Sequence, residues 1–522
     1  YLGNETRTEY DSLGRVKTQY DALGNQTVSY RYDDCDRQVS SMDALGYETT
    51  YTYDADGNVI STTAPNGAVT GNTYDYAGRL TSKTDPKGNR TIYTYDGRGR
   101  LTAVTNALGE THTYTYDNAD RQTAQTDPAG RGILYTYNVR GDLATRSYIG
   151  EATRETYTYT ANGKPKEKIS RDGTATTYSY DGFGRLVLEQ AGEDRKTYTY
   201  DKVGNCLTET DHGTATTRTY DGEGRVTSKT VEGIGTTTYT YDLNPYNGEV
   251  SERATAPDGT VTLTWYDRAG RIQSVESGNG IYVSETYNKN GSRASTSYSD
   301  GSYQEYGYDP AGYMINLTRG GNHFEETETY TYDKNGNLAS ETSHLGTTLY
   351  TYDALDRLLS VTEPGGKITE YTYDASGNRA TKTERHGGAV TRTTYIYDTA
   401  NLLLAQECDD GSGILYTYDA NGNLILEEST AGENLIPAHS ETVTGDAIDI
   451  DYQVLPYHTG NPADLSSGSS AVTVTGGAVT GGEADFPATR TDTVSGSAIR
   501  SYTYDGFNRL TSYQSGDTIA AY

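Results

Sequence analysis

The segment Thr111-His112-Thr113-Tyr114-Thr115-Tyr116 alternates ring and hydroxyl side chains with a period of two. In an extended chain that places Tyr114 and Tyr116 on one face and Thr115 on the other. The run Leu101 to Thr105 before it alternates in the same way, and both are rich in residues that favour strands. Turn sequences bound them. Asp96-Gly97-Arg98-Gly99 offers a carboxylate that can bond its own downstream backbone and glycines that accept positive φ. Asn106-Ala107-Leu108-Gly109 closes the other end, as do Asp85-Pro86-Lys87-Gly88 and Asp127-Pro128-Ala129-Gly130, where proline presets the turn dihedral. Each unit of roughly 21 residues therefore predicts a β-hairpin, and the second turn leads to the next hairpin.

The unit recurs along almost the whole chain. A Tyr-Asp pair closes the returning strand at Tyr53-Asp54, Tyr74-Asp75, Tyr95-Asp96, Tyr116-Asp117, Tyr180-Asp181, Tyr200-Asp201, Tyr332-Asp333, Tyr373-Asp374 and Tyr418-Asp419, among others. Most intervals are 20 to 22 residues, and longer ones before Tyr266, Tyr332 and Tyr397 fit small loop insertions. The phase is lost after Tyr418 and returns at Tyr504. Three regions are expected: a repeat array over 1–427, a Ser/Thr/Gly-rich insert over 428–498 read as a flexible loop, and a resumed repeat, cut short, over 499–522. About forty strands at ~4.8 Å spacing make on the order of 190 Å of sheet width. Open twisted sheets rarely exceed ~10 strands without curling or splitting. The expected fold is therefore all-β, with the hairpin ribbon coiling into a spiral or solenoid whose passes bury the Tyr rows and cover each other's edges.

Composition changes what holds such a ribbon together. The chain has 51 Tyr and 59 Gly against 4 Phe, 1 Trp and 2 Met, and 33% hydrophobic residues. That is thin for an aliphatic core, and with a net charge of −29 it would read as disorder. Tyrosine alters the balance, because each ring buries apolar area and brings a hydroxyl that needs a partner. The acidity argues against nucleic acid and against an anionic membrane surface, and no long apolar segment predicts membrane insertion. Most acids are assigned to turns and a solvating surface.

Candidate chemistry is sparse. Cys35, Cys206 and Cys408 lie far apart and give neither a disulfide framework nor a zinc spacing. The seven His are scattered singly, and Cys206 with His212 are neighbours in sequence without a catalytic motif. No nucleophile elbow, phosphate loop or dinucleotide fingerprint occurs. Asn138, Asn288 and Thr160 replace the Asp of the mark, which suits a turn cap better than a metal or catalytic carboxylate. No catalytic, cofactor or metal residue is expected. The chain starts at Tyr1 and stops inside a repeat, so it reads as a fragment, silent on targeting.

The segments Tyr51 to Val59, Tyr371 to Arg379 and Tyr416 to Leu424 carry the pattern Y-T-Y-D-x-x-G-N. It resembles the YD-repeat, or RHS-repeat, family, whose members include polymorphic toxin shells, the Tc toxin C component and teneurin-like proteins. The resemblance covers all but the insert. It implies a shell of spiralling β-hairpins, secreted or cell-surface in the whole protein, enclosing a C-terminal toxin polypeptide of the same chain. The family's self-cleaving core segment is not seen, so no catalytic residue carries over. The alternative expectation is a surface adhesin whose Tyr rows stack on glycans.

Overall fold

The computed structural model describes residues 5–243, 250–278, 280–430, 499–515 and 518–521. The described residues form forty-three strands and no helix, numbered in chain order from β1 (Arg7–Tyr10) to β43 (Thr518–Ala521), and the strands belong to one sheet. Sequence neighbours pair antiparallel. Thus β9 (Arg90–Tyr95) pairs with β10 (Leu101–Thr105), and β11 (Thr111–Tyr116) with β12 (Gln122–Thr126). The two alternating runs singled out in the sequence coincide with β10 and β11. The all-β spiral predicted by the repeat is the fold observed.

The local reason for each hairpin is a five-residue turn. In Asp75–Arg79 the Asp75 amide donates to the Arg79 carbonyl (3.0 Å) and the Gly78 amide to the Asp75 carbonyl (2.9 Å). Gly78 has φ +74°, so the turn is a type I turn closed by a left-handed residue, and the register slips by one residue beside Tyr74. The fourth turn position therefore needs positive φ. Asp36, Asp120, Asp356, Asn401 and Asn508 fill it where glycine does not, being the residue types that tolerate this region best.

The chain divides into two compact units, each made of separated stretches. One comprises Tyr1–Glu110 with Thr197–Gly366, the other Thr111–Lys196 with Lys367–Tyr522. Within each, the ribbon comes back to lie against itself. Of the expected insert, 431–498 falls outside the described residues, while its first three residues complete β40 (Leu424–Thr430). β40 pairs directly with β41 (Ile499–Tyr504), Glu428 opposite Ile499, so the ladder is unbroken across the interval.

The interior differs from the expectation of buried rings. No described tyrosine is fully buried. The buried hydrophobics are Ala22, Ala191, Val250, Leu317 and Ala405, and the largest fully buried side chains are Ser40 and Ser82. A single sheet has no second sheet packed upon it to close over the ring layer, so each ring is covered only by its lateral neighbours.

Candidate functional site

All nine marked tyrosines end strands, and each following Asp opens a turn. They close β5 (Glu48–Tyr53), β7 (Val69–Tyr74), β9, β11, β17 (Ala175–Tyr180), β19 (Asp194–Tyr200), β31 (Glu325–Tyr332), β35 (Ile368–Tyr373) and β39 (Gly413–Tyr418). The carboxylate organises the turn. Asp75 Oδ1 accepts the amides of Ala77 (2.9 Å) and Arg79 (3.0 Å), and Oδ2 accepts Arg79 Nε at 2.7 Å. Arg79 Nη2 stands 2.6 Å from the same oxygen. The Arg79 side chain, then its amide, hold the Asp75 carboxyl below its ordinary range against the opposing effect of burial. Asp117 is lowered in the same way by Arg121.

The arginine also reaches the next repeat. Its guanidinium lies 4.8 Å from the centroid of the Tyr95 ring, and Nη1 is 3.5 Å from the Asp96 carbonyl oxygen. The Tyr95 hydroxyl donates back to the Leu80 carbonyl at 2.9 Å. Asp, Arg and the following Tyr thus make a rung linking consecutive repeats. It recurs at Asp33, Arg37 and Tyr53, and at Asp117, Arg121 and Tyr137.

In other repeats Asn takes the arginine's place. Asn58, Asn205, Asn337, Asn378 and Asn423 each donate Nδ2 to Oδ2 of the Asp four residues earlier. The tyrosine bond persists without the cation: Tyr74 donates to the Val59 carbonyl at 3.0 Å. Substituted marks keep the turn too. Asn138 Oδ1 accepts the amides of Arg140 and Asp142, Thr160 Oγ1 accepts the Lys164 amide, and Asn288 Nδ2 donates to Ser292.

A second set of contacts joins distant turns, and sequence reasoning missed it. In the first unit Asn335 Nδ2 donates to Asp85 Oδ2 (2.6 Å), Lys87 N to Asn335 Oδ1 (3.1 Å), and Lys87 Nζ lies 3.1 Å from Asp333 Oδ2. Asn290 Nδ2 donates to Asp43 Oδ2 at 3.1 Å. In the second unit Ser376 Oγ donates to Asp127 Oδ2 (2.6 Å), Asp172 N to Asn421 Oδ1 (3.2 Å), and Arg131 Nη1 lies 3.4 Å from Asp374 Oδ2.

Each contact sets a turn without the mark against a turn that bears it. The direct bonds span 247 to 250 residues. In strand order the second turn lies 23 places on, as from β8 (Leu80–Thr84) to β31 or from β12 to β35. Successive turns alternate between the ribbon's edges, so an odd offset brings opposite edges together. The available signal was the polar third residue of the later turns: Asn290, Asn335, Ser376 and Asn421.

Catalytic geometry is not assembled by these residues. Burial pushes the Cys206 thiol up, the wrong direction for a nucleophile, and His212 Nδ1 pairs with Asp211 at 2.9 Å. Among the described residues no group of three His, Cys, Asp or Glu is placed to hold a metal, and no helix is long and apolar enough to cross a membrane.

The sequence family RHS Repeat matches residues 10–42, 36–69, 74–111, 96–131, 159–197, 200–233, 332–368 and 352–390. No curated protein matches the sequence. Among solved structures, the Photorhabdus luminescens Tc holotoxin pore with a substitution in TccC3 is similar at 15% identity and TM-score 0.68, over 98% of this chain and 29% of that one. The crystal structure of TcdB2-TccC3-Cdc42 is similar at 15% identity and TM-score 0.61, over 82% and 30%. That of TcdB2-TccC3 without its hypervariable C-terminal region gives 15% identity and TM-score 0.62, over 83% and 30%. This chain spans less than a third of those chains, and at such identity the likeness is one of fold.

Proposed function

This chain belongs to the RHS-repeat family, and from that premise we propose that it is a non-catalytic wall segment of a large bacterial shell, secreted or displayed at the cell surface, which encloses and helps deliver a toxin polypeptide carried C-terminal to it. The observation that carries this reading is the turn-to-turn seam. In each compact unit the ribbon bonds to itself edge to edge at a separation near 248 residues, as at Lys87 and Asn335. A ribbon sealed along its edges makes a wall, whereas a binding module needs only one accessible face. The marked Tyr-Asp pairs serve this wall: Asp shapes each turn, and Tyr ties one repeat to the next.

Protease protection tests it. The chain is expressed with its natural downstream sequence and digested with trypsin, alongside a variant weakened at the seam (Asn335→Leu with Ser376→Leu). Protection of the downstream polypeptide in the first and its loss in the second are expected. Equal digestion of that polypeptide with and without the repeats overturns the proposal. The glycan-binding alternative finds less support, because stacking on sugars requires open rings and only Tyr10, Tyr76 and Tyr282 are exposed among the described tyrosines.

A further inference from the structure

Two turns of the second compact unit are almost identical in sequence and differ in surroundings. Asp181-Gly182-Phe183-Gly184-Arg185 and Asp505-Gly506-Phe507-Asn508-Arg509 differ only at the fourth position. Both hold the same internal bonds: Asp181 Oδ1 accepts the amides of Phe183 and Arg185, and Asp505 Oδ1 those of Phe507 and Arg509.

The later turn is seated. The Gly506 amide donates to Asp194 Oδ2, and a Cβ on Gly506 would stand 2.6 Å from the Ala191 carbonyl oxygen. Lys196 Nζ lies 5.1 Å from the Phe507 ring centroid. The earlier turn is open: a Cβ on Gly182 would meet nothing within 4 Å, and Phe183 is 85% exposed. A pocket of about 550 Å³ opens beside it, lined by Asn162, Lys164, Lys166, Tyr178 and Phe183.

The seat at Gly506 shows what fits this kind of turn: a tight β-turn from the unmarked edge, close enough to bring a carboxylate to the glycine amide. The second unit itself presents a turn of that type. Cys408-Asp409-Asp410-Gly411 lies on the unmarked edge between β38 (Leu403–Cys408) and β39, with Asp409 and Asp410 exposed. Its two acids complement the exposed Lys166 at the pocket mouth.

We infer that the Phe183 turn and its pocket are a docking socket for the Asp409-Asp410 turn of a second copy of this chain. The two surfaces lie on opposite edges of the ribbon, so the contact is heterologous and propagates head to tail.

Sedimentation velocity on the whole chain, from micromolar to hundreds of micromolar, reads the association. Concentration-dependent oligomers are expected. Gly182→Ala places a methyl where the equivalent seat has no room, at a site with open space in the isolated chain, and weakens association about tenfold or more. Asp409→Lys with Asp410→Lys does the same, and mixing that variant with Lys166→Glu restores a heteromeric species. Gly506→Ala lowers folding stability and leaves the association constant of the folded fraction unchanged. A wild-type chain that stays monomeric throughout, or an association indifferent to Gly182→Ala, overturns the inference and leaves the socket to some other ribbon or to none.

Discussion

The marked turns before residue 226 and those after residue 266 share their internal bonds and differ in what lies on top of them. In the first compact unit the third residues of the early turns, such as Asp56, Ala77 and Val203, are exposed, whereas Ala269, Ala311, Asn335 and Leu355 in later turns are half-buried. Asn290 bonds Asp43 yet remains exposed. The second unit repeats the contrast, with Ala119, Arg140 and Phe183 exposed and Ser376, Asn421 and Phe507 half-buried.

The carboxylates register the difference as well. Asp75 is held below the usual range first by Arg79. Asp333 is also lowered, but there burial is the largest influence and opposes the change, and Asn337 with Lys87 from the distant turn outweigh it. A local motif can therefore be complete in itself and still acquire a second role from a partner far along the chain.

The strongest test of this contrast is the glycine pair. Gly506→Ala forces a methyl against the Ala191 carbonyl and is expected to cost about 1–3 kcal/mol in chemical denaturation, whereas Gly182→Ala stays within about 0.5 kcal/mol. Equal costs would show that seated and open turns are energetically alike. Next comes Asn335→Leu, which leaves Asp85 and the Lys87 amide without their side-chain partner and costs about 2 kcal/mol. The matching change in an open turn, Asp56→Leu, is near neutral by the same measurement.

A smaller effect is expected from Arg79→Lys. A point charge cannot keep both the two-pronged carboxylate bond and the planar contact with Tyr95, and the loss is about 0.5–1 kcal/mol because the group is partly exposed. If the loss matches that of a lysine substitution at the exposed Arg154, the rung contributes nothing beyond charge.

The subtlest test is pH. Asp75 and Asp333 are both depressed in the folded state, so their contribution is present above the ordinary value of 3.8 and is lost as pH falls through the lower folded values. Stability should decline below about pH 4, and Asp75→Asn should flatten part of that slope in a denaturation series while keeping the turn, as Asn138 does. A slope unchanged by that substitution would detach Asp75 from acid sensitivity.

Much of the repeat was legible in the residues. Strands β10 and β11 coincide with the alternating runs, and the Asp-to-amide bonds span two and four residues, within reach of a sequence motif. The arginine rung was not read, although its partners lie only one repeat apart, because alternation says which face a side chain takes and not what it meets across the next hairpin. The half-buried state of the rings was misjudged for a related reason: sequence identifies an apolar ring without revealing how many layers will cover it.

The sequence alone determined that this protein is a ribbon of antiparallel hairpins, since hairpin pairing and turn closure are settled by residues a few positions apart. Only the tertiary structure decided which turns meet. The return near 248 residues reflects small twists and bends added over 23 strands, a sum that no single repeat encodes. That return makes Asn335 part of a seam and leaves Phe183, in an equally well-formed turn, open to solvent.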